Sequence, residues 1–169
     1  MYTLNYKADV MKIEAIYISP GHDFYGRYGM ERLNHGIQSL ESVNCVADKG
    51  LEGDRFFDYK DDFKGPVTFF SAEVADTLRE TFLDAYFENS AFRRNVIVRG
   101  VDLNTLIGKR FRVGDIEFEG TEEATPCDWM DSAVGPGARE FLEGRGGLRA
   151  RILTSGTLKV GELDLLIDA

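Results

Sequence analysis

Apolar residues fall along this chain in short blocks rich in β-branched and aromatic side chains, with only one stretch at helical spacing. Ile13 to Ser19 (IEAIYIS) reads as a strand that ends at Pro20-Gly21, and the segment from Gly21 to Gly36 holds glycines and aromatics without a period, as a long loop does. Leu40 to Val46 is the next strand, with Val43, Cys45 and Ala47 on one face. The stretch DKGLEGDRFF after it places two glycines in a turn. Pro66 to Phe70 is a short buried strand and Ser71 a helix N-cap. Val74, Ala75, Leu78, Phe82 and Leu83 share one helical face, which predicts a helix from Ser71 to about Phe87. Asn95 to Arg99 is a strand, Leu103 to Ile107 at most a helical turn, and Arg110–Val113 with Ile116–Glu119 a hairpin across Gly114-Asp115. Short helices are expected at Asp128–Ala133 and Ala138–Leu142. Strands follow at Arg149–Leu153 and Leu163–Ile167, with a turn at Ser155-Gly156 between them.

Many short strands and one substantial helix predict a mainly β fold, a barrel or curled sheet with short helical decorations. A chain of 169 residues suits one domain, read as residues 12–169 behind a short extension at 1–11 that lacks the basic and apolar regions of a secretory signal. The formal charge of −9 argues against nucleic acid or an anionic membrane surface as partner. No apolar run approaches the roughly 20 residues of a membrane span. Two cysteines, Cys45 and Cys127, in no paired motif, suggest a reduced, cytoplasmic setting.

Familiar catalytic motifs are scarce. The glycine runs GRGG (144–147) and GPGARE (135–140) lack the strand that must precede a phosphate-binding fingerprint. A zinc site would have to gather His22 and His35 with Cys127 or carboxylates from scattered loops, and a cysteine hydrolase would need His22 as base for Cys127. Arginine is more informative: FRRN (92–95) sets two guanidiniums before a strand, and GGLRAR (146–151) sets Arg149 and Arg151 on one strand face. In an acidic chain such cations are either salt-bridge partners or an anion site.

GLEGDRFF (50–57), FRRNVIVRGVDLNTLIGKRFRVG (92–114), EGTEEATPC (119–127) and GRGGLRARIL (144–153), followed by GTLKVGE, together resemble the MOSC domain, named for the C-terminal region of molybdenum cofactor sulfurases. The resemblance covers roughly residues 12–167 and implies a MOSC-type β-barrel with a cleft for the molybdenum cofactor, a molybdenum-pterin dithiolene with a phosphate tail. It implies that Cys127 is the protein ligand to the metal, a soft thiolate suited to a soft centre, with Pro126 stiffening its approach. Arg55, Arg93, Asn95 and Thr125 carry over as cofactor-gripping residues. Where some relatives have a Lys-Ser pair this chain has Ile18-Ser19, so only Ser19 transfers; Lys64 is assigned the missing positive charge, and Arg149 joins the anion-binding candidates.

By the same resemblance the chain is expected to be an oxidoreductase that reduces N-hydroxylated small molecules such as hydroxylamines and amidoximes. With no iron–sulfur cysteine cluster or flavin fingerprint, its electrons would come from separate proteins. The alternative is a module that carries the cofactor, or sulfur on Cys127, to an acceptor enzyme; the chain has no pyridoxal-phosphate domain to supply that sulfur itself.

Overall fold

In the computed structural model, which describes residues 6–21 and 35–168, Phe69 and Phe70 on strand β5 (Val67–Ser71) are both fully buried, although a strand turns neighbouring side chains to opposite faces. Both faces of this strand are therefore covered, which is why its sequence is a continuous apolar run and not an alternation. Strand β6 (Val96–Arg99) repeats the pattern, with Val96 and Val98 facing one core and Ile97 the other.

The inner core fills a closed barrel of seven strands. Around it run β1 (Tyr6–Ile18), β6, β5, β9 (Leu148–Ile152), β8 (Ile116–Glu123), β7 (Arg110–Val113) and β11 (Gly161–Asp168), and β11 pairs back onto β1. Phe69, Phe111 and Phe118 meet inside with ring centroids 5.4–5.9 Å apart. The hairpin of β7 and β8 turns across Gly114-Asp115 as the sequence predicts. Val113 sits opposite Ile116, and Gly114 has a φ of 58°, the left-handed conformation such a turn requires. Strand β8 runs on past the expected Glu119, irregular between Gly120 and Glu122; a Cβ on Gly120 would lie 2.1 Å from the Leu106 carbonyl oxygen, so only glycine fits.

Every pair in the barrel is antiparallel except β5 with β6, which run side by side in the same direction. Parallel neighbours need a crossover, and helix α1 (Ala72–Thr81) begins it, with the Ser71 hydroxyl accepting from the Val74 N–H at 3.2 Å as the predicted N-cap. The outer core lies beneath this crossover. Phe70 stacks on Phe92 at 4.3 Å, joined by Ala75, Leu78, Ile97, Trp129 and Met130. Helices α2 (Trp129–Ala133) and α3 (Ala138–Phe141) complete that layer.

Four sequence expectations are corrected. The first strand starts at Tyr6, so from there on the supposed extension is barrel wall, paired residue by residue with β11. Helix α1 stops at Thr81 and not near Phe87: the chain turns at Phe82, Leu83 is left 82% exposed, and Phe87 returns to the outer core against Phe92. Leu40–Val46 is two strands, β2 (Gln38–Leu40) on β1 and β3 (Ser42–Val46), which leaves the barrel for a small sheet with β4 (Gly50–Leu51) and β10 (Gly156–Lys159). Strand β10 begins at Gly156, inside the expected turn, and runs on through Lys159, where a single buried residue, Leu158, is too little pattern to mark a strand. Among the described residues no helix is long and apolar enough to cross a membrane.

Since Tyr6–Ile13 closes the barrel against β11, deleting residues 1–11 should expose the β11 edge and yield aggregated or unfolded protein. Met11→Ala, emptying a fully buried site, should cost about 2–5 kcal/mol in denaturant unfolding. A deletion variant with unaltered stability would return these residues to the status of a dispensable extension.

Candidate functional site

The FRRN sequence folds as a hinge. Phe92, fully buried, ends a single turn of 3-10 helix (Asn89–Phe92), and Arg93 follows in the left-handed region at φ 55°, uncommon for a residue with a side chain. The reversal sends the two guanidiniums apart. Arg93 Nη2 donates to Ser19 Oγ at 3.0 Å and to the Gly21 carbonyl at 2.7 Å. Arg94 donates from Nε to the Gly146 carbonyl at 3.0 Å and from Nη2 to the Ala124 carbonyl at 2.9 Å. Arg94 thereby ties the start of β6 to the segments that leave β8 and enter β9.

Asn95 closes the hinge from below. It is 2% exposed: its Oδ1 accepts from the Thr68 N–H at 3.0 Å and the Thr68 hydroxyl at 3.1 Å, while Nδ2 donates to the Tyr17 carbonyl at 3.1 Å. One amide thus joins β1, β5 and β6.

Above this floor opens a cleft of about 420 Å³. Cys127 lies on its wall, exposed, on the loop from β8 to α2, with Thr125 beside it. Pro126 between them is buried, and Gly146 packs so closely that a Cβ there would come within 2.8 Å of the proline ring. The loop then enters α2, where the Trp129 indole N–H donates to the Ala91 carbonyl at 2.7 Å and locks the thiol-bearing segment to the outer core. The connection between β4 and β5 brings Arg55, Phe56, Tyr59, Lys60 and Phe63 to the same cleft.

Of the residues singled out in the sequence, Cys127, Arg55, Arg93, Thr125 and Arg149 line this cleft together. Asn95 and Ser19 stand behind it. Ser19 is 1% exposed, with Oγ engaged by Arg93 and within 3.0 Å of the Gly21 and Gly36 carbonyls. Lys64 does not reach the cleft; it is exposed, and its carbonyl accepts from the Thr121 hydroxyl at 2.6 Å. The lysine on the cleft is Lys60, in the connection that offered no period to read. His22 lies outside the described residues, so the cysteine hydrolase pairing has no geometry here, and among the described residues no three His, Cys, Asp or Glu side chains gather to hold a metal. Sequence reasoning missed Arg94, although it adjoins Arg93, and Asp54. The carboxylate of Asp54 is 5% exposed, accepts from the Ser19 N–H at 3.0 Å and pairs with Arg55 at 3.2 Å. The GDR tripeptide was the available signal for Asp54.

Guanidiniums dominate the electrostatics. Arg55, Arg93, Arg94 and Arg149 all face the cleft, and among the described lining residues there is no aspartate or glutamate, in a chain of net charge −9. Burial lowers the Arg94 pKa to about 10; Cys127 acts in the opposite direction, Arg149 and Arg55 lower it further, and Glu123 raises it. A site that strains its own cations in this way favours an anionic occupant. Arg149 pairs with Glu122 at 3.2 Å, while Arg151 on the same strand face is not among the lining residues and bonds to Asp62 instead. The donor set fits a phosphorylated, metal-bearing group: one exposed thiol for the metal, whose remaining ligands the group itself must bring, and several guanidiniums for the anionic tail.

Two measurements check this geometry. Under native conditions a thiol reagent should modify one cysteine, Cys127, quickly and Cys45 only on unfolding, because burial leaves Cys45 1% exposed and pushes its pKa up to about 12; two equally fast thiols would contradict the fold around β3. Asn95→Ala should lower stability by roughly 1–3 kcal/mol by leaving the buried groups it serves without a partner, and a change inside experimental error would show that the amide joins nothing.

The chain matches the MOSC domain model over residues 51–163. Among solved structures it is similar to the YuaD protein from Bacillus subtilis, at 15% identity and a TM-score of 0.76, over 98% of this chain and 100% of that one. It is also similar to YiiM from Geobacillus stearothermophilus, at 15% identity and a TM-score of 0.63, over 94% of this chain and 75% of that one. YiiM from Escherichia coli is similar at 14% identity and a TM-score of 0.62, over 94% and 70%. No curated protein matches the chain. At these identities the solved structures establish the barrel fold, and the match over residues 51–163 establishes that the chain belongs to the MOSC domain family, whose domains are associated with molybdenum cofactor binding.

Proposed function

We propose that this protein is a molybdenum cofactor-dependent oxidoreductase that reduces N-hydroxylated small molecules, drawing electrons from separate partner proteins. The observation that carries the reading is the exposed thiol of Cys127 sharing one cleft with Arg55, Arg93, Arg94 and Arg149. When bound, the cofactor supplies the two-electron chemistry at the N–O bond; the chain supplies position and electrostatics. Cys127 offers the metal a thiolate from a segment held in direction by Pro126 and by the Trp129–Ala91 hydrogen bond. Arg94 and Arg149 offset the charge of the pterin phosphate, and the exposed Thr125 offers a hydroxyl on the same wall. Both cysteines are accounted for, one buried in β3 and one on the cleft, so the chain has no thiols left for an electron-carrying cluster of its own.

The test is expression in a host that makes the cofactor, followed by molybdenum analysis, pterin fluorescence and anaerobic assay with chemical reductant against hydroxylamines and amidoximes. Stoichiometric metal and turnover are expected. Cys127→Ser should retain stability within about 1 kcal/mol, since an exposed thiol becomes a hydroxyl, while the metal spectrum changes and turnover is lost. Arg149→Ala should weaken cofactor retention by roughly 1.5–3 kcal/mol, about tenfold or more. Loaded protein that reduces none of these compounds, yet passes cofactor or sulfur to an acceptor enzyme, would replace the oxidoreductase with a carrier.

A further inference from the structure

Arg151 has no place in the cofactor grip, although it sits two residues from Arg149 on the same strand face. From β9 it reaches the connection between β4 and β5, which supplies part of the cleft lining. Its Nη2 donates to the Asp62 carboxylate at 2.8 Å and the Asp62 carbonyl at 3.3 Å, its Nε approaches the Phe63 carbonyl at 3.5 Å, and Glu119 steadies Nη1 at 3.3 Å. Asp62 stands in the left-handed region at φ 54°, a conformation costly for a residue with a side chain unless its surroundings hold it. The guanidinium grips both the carboxylate and the backbone of that residue, and thereby sets the direction of Phe63, its neighbour.

Phe63 is one of three rings that the connection between β4 and β5 brings to the cleft. Its centroid lies 5.3 Å from Phe56 and 5.1 Å from Tyr59, and Phe56 and Tyr59 meet edge to face at 5.5 Å. Tyr59 is 53% exposed and still lines the cleft. These three rings pack against one another on one connection, beside the guanidiniums of the same cleft. The guanidiniums and the thiol suit an anionic, metal-bearing group; three mutually packed rings suit the flat, apolar body of whatever is presented to it, by offset or edge-to-face contact.

We propose that Phe56, Tyr59 and Phe63 form the selecting wall of the cleft, receiving a planar ring on the substrate, and that Arg151 is the positioning residue that holds this wall in place through Asp62 and Phe63. The proposal rests on the oxidoreductase reading for the meaning of substrate, but its consequences can be read by binding alone. An ion pair with one partner as exposed as Asp62, at 88%, contributes little to global stability. Loss of Arg151 should therefore disturb selection and leave the fold intact.

The single tryptophan, Trp129, lines the same cleft and provides the readout. Binding of benzamidoxime and of acetamidoxime is followed by Trp129 fluorescence and by calorimetry, in protein with and without cofactor, for the native chain, Arg151→Met, Arg151→Lys and Phe63→Leu. Arg151→Met should weaken benzamidoxime binding about five- to tenfold, the range expected for losing an aromatic contact. Acetamidoxime binding, cofactor occupancy and Tm should stay unchanged, and in turnover KM for the aromatic compound should rise at constant kcat. Arg151→Lys should restore part of the loss, because a single ammonium can still reach Asp62, and Phe63→Leu should reproduce the Arg151→Met phenotype. Equal affinities of every variant for benzamidoxime would overturn the proposal. So would a parallel loss for both ligands with a lowered Tm, which is the mark of a structural residue. If the loaded protein turns over neither compound but ring-selective binding and its loss in Arg151→Met persist, the wall stands and the oxidoreductase reading falls.

Discussion

The side-by-side, same-direction pairing of β5 with β6 is the constraint from which the rest of the structure follows. Two parallel neighbours cannot be joined by a tight turn, so the chain must leave the barrel after Ser71 and return at Asn95 by a path over the outside. That path needs a face to lie on. Phe70 and Ile97 provide it, and the segments that cover them, α1, α2, α3 and the turn at Phe92, become a second layer with its own core. Burial on both sides fixes register firmly, since slipping either strand by one residue would exchange inner and outer side chains.

The cleft is a consequence of where that return path rejoins the barrel. Asn95 pins the incoming strand to Thr68 and Tyr17 with a buried amide, and the residues just before it, Arg93 and Arg94, line the cleft. Arg94 then spans to the carbonyls of Ala124 and Gly146, on the two segments that flank Cys127. The thiol loop and the cations are held together by these bonds from the Arg94 guanidinium to backbone carbonyls. Trp129 performs the corresponding task on the far side, one bond to Ala91 linking the thiol loop to the same turn that orients the arginines.

Charge is distributed accordingly. An acidic chain concentrates guanidiniums on one concave surface and leaves its carboxylates elsewhere, apart from those, such as Asp54 and Glu122, that hold a particular arginine in place. Burial, and after it the neighbouring Arg149 and Arg55, opposes the charged form of Arg94 and lowers its pKa. An anionic occupant relieves that opposition. The stress is thus stored where binding can discharge it.

Local pattern was enough to place most strands, the Ser71 cap, the Gly114-Asp115 turn and the blocks that bear Cys127 and the arginines, because each depends on neighbours within a few residues. What extended beyond that range had no local signature. Residues 6–11 form a strand because β11, distant in sequence, lies beside them to receive them, the helix ends early because Phe87 finds a place against Phe92, and Lys60 reaches the cleft where Lys64 does not because the connection before β5 folds onto Arg151. Asn95 and Ser19 carry the same lesson within the site. The family resemblance implied contact with a ligand for both, but only the tertiary structure shows their hydrogen bonds to other parts of the chain. The sequence alone determined which chemical groups exist and most of the strands that carry them; tertiary structure decided the remaining strands and which groups face the same space, since both depend on strand direction and on contacts between residues far apart along the chain.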